Sequence, residues 1–263
     1  MYALPEREYW KVSEWKATRL ERGCPKGLWV RVPCLPLDNG IKSMLTQNDV
    51  VIYVSACASR AALALAVRDT WAAFASNVYY AFDENNINLP NCIDLGILYR
   101  NQLSIKTFLI MQHMYVYHPD KKWYIKIDDD SYLFVKNAME ALSNYDHDKP
   151  WYMGDLNNAI YFCGPRDQHP IKWISGGAGI FLNNRCLRRL NKHFQNGLRE
   201  MMVTYHEDCW LAAELSNLQI HPTHLPGCHQ FDTVGKVDVD AKLVSIHEQN
   251  TPEKMFGIHN AYS

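Results

Sequence analysis

The chain has 263 residues and a mass of 30.5 kDa, enough for one large α/β domain or two small ones. Its 27 basic and 28 acidic residues leave a net charge of -1, so no basic surface advertises nucleic acid or anionic lipid as a partner. The hydrophobic share of 48% suits a globular domain with a real core.

Residues 1–48 read as an accessory segment. The stretch Met1 to Gly23 mixes charges with scattered aromatics and has no signal-peptide pattern. One helix is expected over 7–22, then a loop punctuated by Pro25, Gly27, Pro33, Pro36 and Gly40. No apolar run approaches the roughly eighteen residues of a membrane span, so either the protein works where it is made or an anchor has been left off. Eight cysteines are scattered without a CxxC pair or zinc-finger spacing. Their even number fits a disulfide-bonded luminal protein, with buried thiols as the alternative. The lack of an N-x-Ser/Thr sequon weakens the secretory reading.

The run Val50-Val-Ile-Tyr-Val-Ser55 reads as a first buried parallel strand. Arg60 to Ala75 is Ala/Leu-rich and helical, Val78 to Phe82 is a second strand, and the Asn/Pro-rich 85–92 is a loop. Leu103 to Tyr117 is a long helix leading into Trp123-Tyr-Ile-Lys-Ile127, a strand by composition. Another helix covers Lys136 to Asn144, and Trp151-Tyr-Met-Gly154 opens a strand followed by a long irregular region. Trp173 to Leu182 reads as one glycine-broken strand, Arg185 to Phe194 as a basic helix and Cys209 to Leu218 as another, with Leu243 to His247 as a last strand. Strands alternating with helices make one α/β domain the economical reading.

Asp128, Asp129 and Asp130 fall where the central strand ends, the position at which open α/β sheets present ligand groups. Three adjacent carboxylates repel one another, and a divalent cation with oxygen ligands is the simplest compensation. A solvated acidic turn is the competing reading. Further along, Gly176, Gly177 and Gly179 interrupt a would-be strand, which suggests a bulge or a close approach of backbone to ligand. Glu207 and Asp208 open a helix, where acidic residues also favour the dipole and where a carboxyl pKa tends to fall.

Taken in order, Ala66-Val-Arg-Asp-Thr-Trp71, Trp123 to Tyr132, Tyr152-Met-Gly154, Ile174-Ser-Gly-Gly-Ala-Gly179, His206-Glu-Asp208 and Val244-Ser-Ile-His247 resemble the Fringe and core 1 β-1,3-galactosyltransferase family (glycosyltransferase family 31). The likeness runs from about residue 50 to 256. It implies an α/β fold of the GT-A type, a Rossmann-like mixed sheet flanked by helices, with residues 49–263 as the catalytic domain. It also implies inverting, β-1,3-directed transfer of galactose or N-acetylglucosamine from a UDP-sugar to a glycan or glycoprotein hydroxyl. By the same resemblance Asp130 and His247 ligate Mn²⁺, and Asp128 and Asp129 hold the ribose, the donor sugar or a metal-bound water. Asp208 is the general base with Glu207 as understudy. Arg60, Arg68 and Lys106 are candidates for the phosphate or uracil end, although Arg68 can instead form a local ion pair with Asp69. By the same resemblance the loop with Gly176 and Gly177 lines the space between donor and acceptor, with Trp173 and Ser175 at its edge.

The resemblance suggests the Golgi lumen, with the anchor missing here and a cytosolic site as the alternative. No nucleic acid and no membrane contact are expected of this chain itself, and a homodimer stays open. A metal-dependent hydrolase and a non-catalytic binding relative are the competing functions. The segment between Asp208 and His247, with Pro222, Pro226 and Cys228, matches no functional motif.

Overall fold

The computed structural model describes residues 44–83, 89–96, 102–161, 171–197, 206–231 and 242–262. The chain divides into two compact units, 1–40 and 41–263. The expected helix over 7–22, the Pro/Gly loop after it and Cys24, Cys34 and Cys163 lie outside the described residues.

Strands β1 (Val50–Ser55), β2 (Val78–Phe82), β3 (Cys92–Asp94) and β4 (Trp123–Asp128) form the parallel half of a seven-stranded sheet. Strands β5 (Tyr132–Leu133), β6 (Tyr152–Gly154), β7 (Leu156–Tyr161), β8 (Ile171–Ile174) and β9 (Ile180–Asn183) follow. The last three are β10 (Pro222–His224), β11 (Cys228–His229) and β12 (Ser245–Ile246). The large sheet runs β10-β6-β9-β4-β1-β2-β3. β9 is antiparallel to both β4 and β6, and β10 is parallel to β6, so the sheet is mixed through one reversed strand. β5, β11 and β12 make a small sheet of their own, and β7 pairs with β8.

Helices cover both faces of the large sheet, which is why its strands read as nearly continuous apolar runs. Along β1 and β4, Val50, Ile52, Val54, Trp123, Ile125 and Ile127 pack with residues of α1 (Ala61–Asp69), α3 (Val135–Leu142) and α6 (Pro252–Tyr262). Val51, Tyr53 and Tyr124 face α2 (Leu103–Tyr117), α4 (Asn184–Gly197) and α5 (Glu207–Asn217). The mixed sheet between helices is the architecture expected. β1 leads outward through β2 to β3, and α2 then returns the chain to the other side of β1, where β4 lies. The strand order therefore switches between β1 and β4, and Ser55 and Asp128 are register partners at that point.

Three local expectations need correction, and two further elements, β3 and α6, add to them. The helix does not run from Arg60 to Ala75: α1 stops at Asp69 and a 3₁₀ turn covers Trp71–Phe74. Thr70 breaks it, with its Oγ1 donating to Ala66 O at 2.6 Å, and the break turns Trp71 into the core. The span 173–182 is not one strand. It is β8 and β9, which belong to different sheets and are joined by the glycine segment. β3 lies at the end of the stretch read as a loop, as a short edge strand. β7 occupies part of the region read as irregular, and α6 was not anticipated at all.

Trp71 Nε1 donates to Ser131 O at 2.9 Å, directly after the aspartate triplet. The Ala-Val-Arg-Asp-Thr-Trp motif thus acts structurally, clamping the acidic turn from below. Trp71→Phe keeps an aromatic ring but removes this donor and part of the buried indole, so urea denaturation should show a loss of about 2–4 kcal/mol from hydrogen bond and void together. Unchanged stability would mean that the clamp contributes nothing.

Candidate functional site

Asp128 is the last residue of β4, and the turn after it is held by Ser131 N donating to Asp128 O at 3.2 Å and Asp129 N donating to Ser55 O at 3.2 Å. The turn separates Asp128, which meets Lys126, from Asp129 and Asp130, which share Arg60 Nη2. Asp129 points inward: it is 2% exposed, and Arg60 Nη2 lies 2.5 Å from its Oδ1. Burial pushes the Asp129 carboxyl up to about 7, with Arg60 opposing and the neighbouring aspartates reinforcing the rise. Asp130 meets Arg60 at 2.8 Å and His247 Nε2 at 3.1 Å. Although burial opposes it, His247 and Arg60 hold the Asp130 carboxyl down at about 2. Asp128 Oδ1 lies 2.7 Å from Lys126 Nζ.

A cleft of about 420 Å³ opens at this edge, bounded in part by Ser55, Cys57, Arg60, Lys106, Asp128, Asp129 and Glu207. Its size is that of a small-molecule site. Lys106, on α2, is 5% exposed and donates through Nζ to Ala56 O. Burial lowers its pKa, against the pull of Asp83, Asp128 and Asp129. Arg60 and Lys106 therefore stand in the cleft. Arg68 does not: it is exposed and forms a two-point ion pair with Asp69, at 2.6 and 2.7 Å.

The glycine segment joins this edge to α5. A Cβ on Gly176 would lie 2.7 Å from Glu207 Oε1, and one on Gly177 would lie 2.5 Å from His247 Nε2. Backbone polar groups fix the segment. Ser131 Oγ donates to Gly177 O at 2.7 Å, Ser245 Oγ donates to Ala178 O, and Gly176 N reaches Asp208 Oδ2 at 3.4 Å. Trp173, on β8, is a core residue packed in the layer with α5. Asp208 is half-buried at the second position of α5, and its Oδ1 accepts from Cys209 N at 2.8 Å. Glu207 lies 3.1 Å from Lys126 Nζ. Contrary to the helix-terminus expectation, burial pushes the Glu207 carboxyl up, with Lys126 opposing.

Lys126 and Gln230 were not anticipated. Lys126 is a lysine inside an apolar run, on the face of β4 that also carries Tyr124 and Asp128. A cation on a strand buried on both sides demands carboxylate partners, and that was the legible signal. Gln230 gives no such signal. Its side-chain oxygen accepts from Ala178 N at 3.1 Å, and its carbonyl oxygen and Nε2 each lie 3.0 Å from His247 Nδ1.

Asp128, Asp130 and His247 can bring ligand atoms within 4.8 Å of one another. Asp130 Oδ1 is buried without a well-angled hydrogen bond despite its nearness to His247. The Gln230 carbonyl can accept Nδ1–H, which leaves Nε2 free as a ligand. Carboxylate oxygens with one imidazole fit a divalent cation such as Mn²⁺.

Against known proteins, the Fringe-like family matches residues 45–260, which bears out the resemblance drawn from the motifs. A human protein named β-1,3-glucosyltransferase is 29% identical over 166 residues, covering 62% of this chain and 32% of that protein. A Xenopus laevis glycoprotein-N-acetylgalactosamine 3-β-galactosyltransferase 1 is 28% identical over 170 residues, covering 62% of this chain and 44% of its own length. The β-1,3-N-acetylglucosaminyltransferase lunatic fringe of the same frog is 24% identical over 218 residues, covering 71% and 56%. The chain spans less than half the length of the first two of these relatives.

Two results are expected. Gly177→Ala pushes a methyl group into the His247 ring and should weaken Mn²⁺ binding by about 10- to 100-fold, read by titration calorimetry. An unaltered affinity would show that His247 is not a ligand. Burial lowers the His247 pKa, but Asp130 outweighs it and the net shift is upward. Its proton must therefore leave on ligation. Mn²⁺ affinity should rise with pH through a value above the ordinary histidine range of about 6.5, and binding should release protons, seen as a buffer-dependent heat. His247→Asn should flatten that slope.

Proposed function

The chain belongs to the Fringe-like family, and from that premise we propose that it is an inverting, metal-dependent glycosyltransferase of the GT-A type. It would move a hexose from a UDP-sugar to a hydroxyl of a glycan or glycoprotein, in β-1,3 linkage. The observation that carries this reading is the glycine segment, which touches both the acidic edge and the start of α5: Gly177 against His247, Gly176 against Glu207 and Asp208.

Asp128 and Asp130 supply the D-x-D spacing, and Asp130 and His247 would hold Mn²⁺, with Asp128 beside them. When bound, the cation supplies Lewis-acid stabilisation to the departing diphosphate. Arg60 and Lys106 bring positive charge to the cleft where the phosphates would lie. Inversion needs one displacement and one base. Asp208 is bound by neutral backbone amides, whereas Glu207 is engaged by a lysine. That difference favours Asp208 as the acceptor of the hydroxyl proton. The relatives are named for glucosyl, galactosyl and N-acetylglucosaminyl transfer, so UDP-glucose joins UDP-galactose and UDP-N-acetylglucosamine among the donors to test. The hydrolase alternative, built on two metals, needs more ligands than the single cluster found among the described residues. We place its action in the Golgi lumen on family grounds. No helix among the described residues is long and apolar enough to cross a membrane.

Asp208→Asn tests this assignment. Release of UDP in the presence of an acceptor should fall by at least about a hundredfold, while UDP and Mn²⁺ still bind together within a few-fold of the unaltered affinity. Full activity in that variant would remove Asp208 from the role of base.

A further inference from the structure

Lys126 sits on β4 as the register partner of Tyr53 on one side and Ile180 on the other. Its side chain is 2% exposed, in a layer otherwise built of Tyr124, Tyr53, Ile180 and the apolar faces of α2, α4 and α5. A lone ammonium there would be expelled or neutralised. It is retained because Nζ reaches Asp128 Oδ1 at 2.7 Å and Glu207 Oε1 at 3.1 Å. These two carboxylates come from different elements with different duties. Asp128 ends the strand that carries the acidic turn, and Glu207 starts the helix that carries Asp208.

We propose that Lys126 is a positioning residue that locks the start of α5 to the end of β4, setting Asp208 relative to the acidic metal edge. This rests on the transferase reading above. A buried ion pair adds little net stability, because desolvation offsets attraction, so its value lies in the geometry it enforces. Here two separate observations converge on one geometry. Gly176 leaves no room for a Cβ beside Glu207 Oε1, so the carboxylate is confined from the glycine side as well as by Lys126. With Glu207 held in this way, the adjacent Asp208 is the carboxylate of the pair left for an incoming hydroxyl. Lys126 also draws one oxygen of Asp128 toward the core, which fixes how that carboxyl faces the cluster it forms with Asp130 and His247.

The test uses Lys126→Arg, Lys126→Met, Glu207→Gln and the pair Lys126→Met/Glu207→Gln. For each, thermal denaturation, Mn²⁺ affinity by electron paramagnetic resonance and steady-state transfer are measured. Lys126→Met alone leaves the Glu207 carboxylate, 12% exposed, and the part-buried Asp128 without their cation and is expected to destabilise the fold, so the decisive comparison is the pair against Glu207→Gln. Removing both charges should restore the melting temperature to near that of Glu207→Gln. Mn²⁺ affinity and kcat should nevertheless stay about 10- to 100-fold below it, with the acceptor KM altered less than kcat. Lys126→Arg should recover part of both. A pair variant equal to Glu207→Gln in Mn²⁺ affinity and kcat would overturn the proposal, leaving Lys126 as charge compensation only. The Mn²⁺ readout separates the two readings. If the unaltered chain binds Mn²⁺ but transfers nothing, a weakened affinity in the pair still supports the lock while the transferase reading falls. If the unaltered chain binds no Mn²⁺, both are overturned.

Discussion

The arrangement of this protein depends on gathering carboxylates at one edge of a sheet without letting them repel the edge apart. Asp128, Asp129 and Asp130 leave the end of β4, and Glu207 and Asp208 approach from α5. Three nearby cations answer these carboxylates: Arg60 for Asp129 and Asp130, Lys126 for Asp128 and Glu207, and His247 for Asp130. The balance is local and directional. Asp129 is driven toward neutrality by burial while its neighbour Asp130 is held ionised. Environments that push adjacent acids apart in this way are a mark of functional sites.

Topology explains why the charges meet here. The strand order changes direction between β1 and β4, which leaves a crevice at their C-terminal ends. β9, running the other way, begins at the same edge, with Ile180 beside Lys126. The turn between β8 and β9 is thereby delivered to the crevice. Glycine lets that turn pass within contact distance of Glu207 and His247, where a Cβ would press on the side chains as they stand. The same two glycines that break the strand pattern are what allow the acidic edge and α5 to come together.

Much of this was legible in the sequence. The long apolar runs gave β1, β2, β4 and α2 with nearly their observed limits, because burial on both faces leaves a continuous signal. The triplet and the glycines marked the site because their types are costly elsewhere. Elements made by tertiary contact rather than local pattern were not legible. β3 is a three-residue edge strand, β7 lies in a polar stretch, and α1 is broken at Thr70, after which Trp71 reaches across to Ser131. Side-chain partnerships across the chain were equally hidden. Nothing local ties Gln230 to His247 or Arg60 to the acidic turn, whereas the Arg68–Asp69 pair was legible because the two residues are adjacent. Lys126 was in plain view, yet its partner Glu207 lies 81 positions away in sequence.

Under the proposed function, the crevice between β1 and β4 holds a divalent cation and a uridine diphosphate together. Crystals grown with Mn²⁺ and UDP, with anomalous scattering recorded at the manganese edge, test it most directly. One strong anomalous peak is expected in contact with the Asp130 carboxylate and His247 Nε2, with the diphosphate between it and the Arg60–Lys106 side of the cleft. A peak elsewhere, or UDP bound with no peak at these residues, would contradict it.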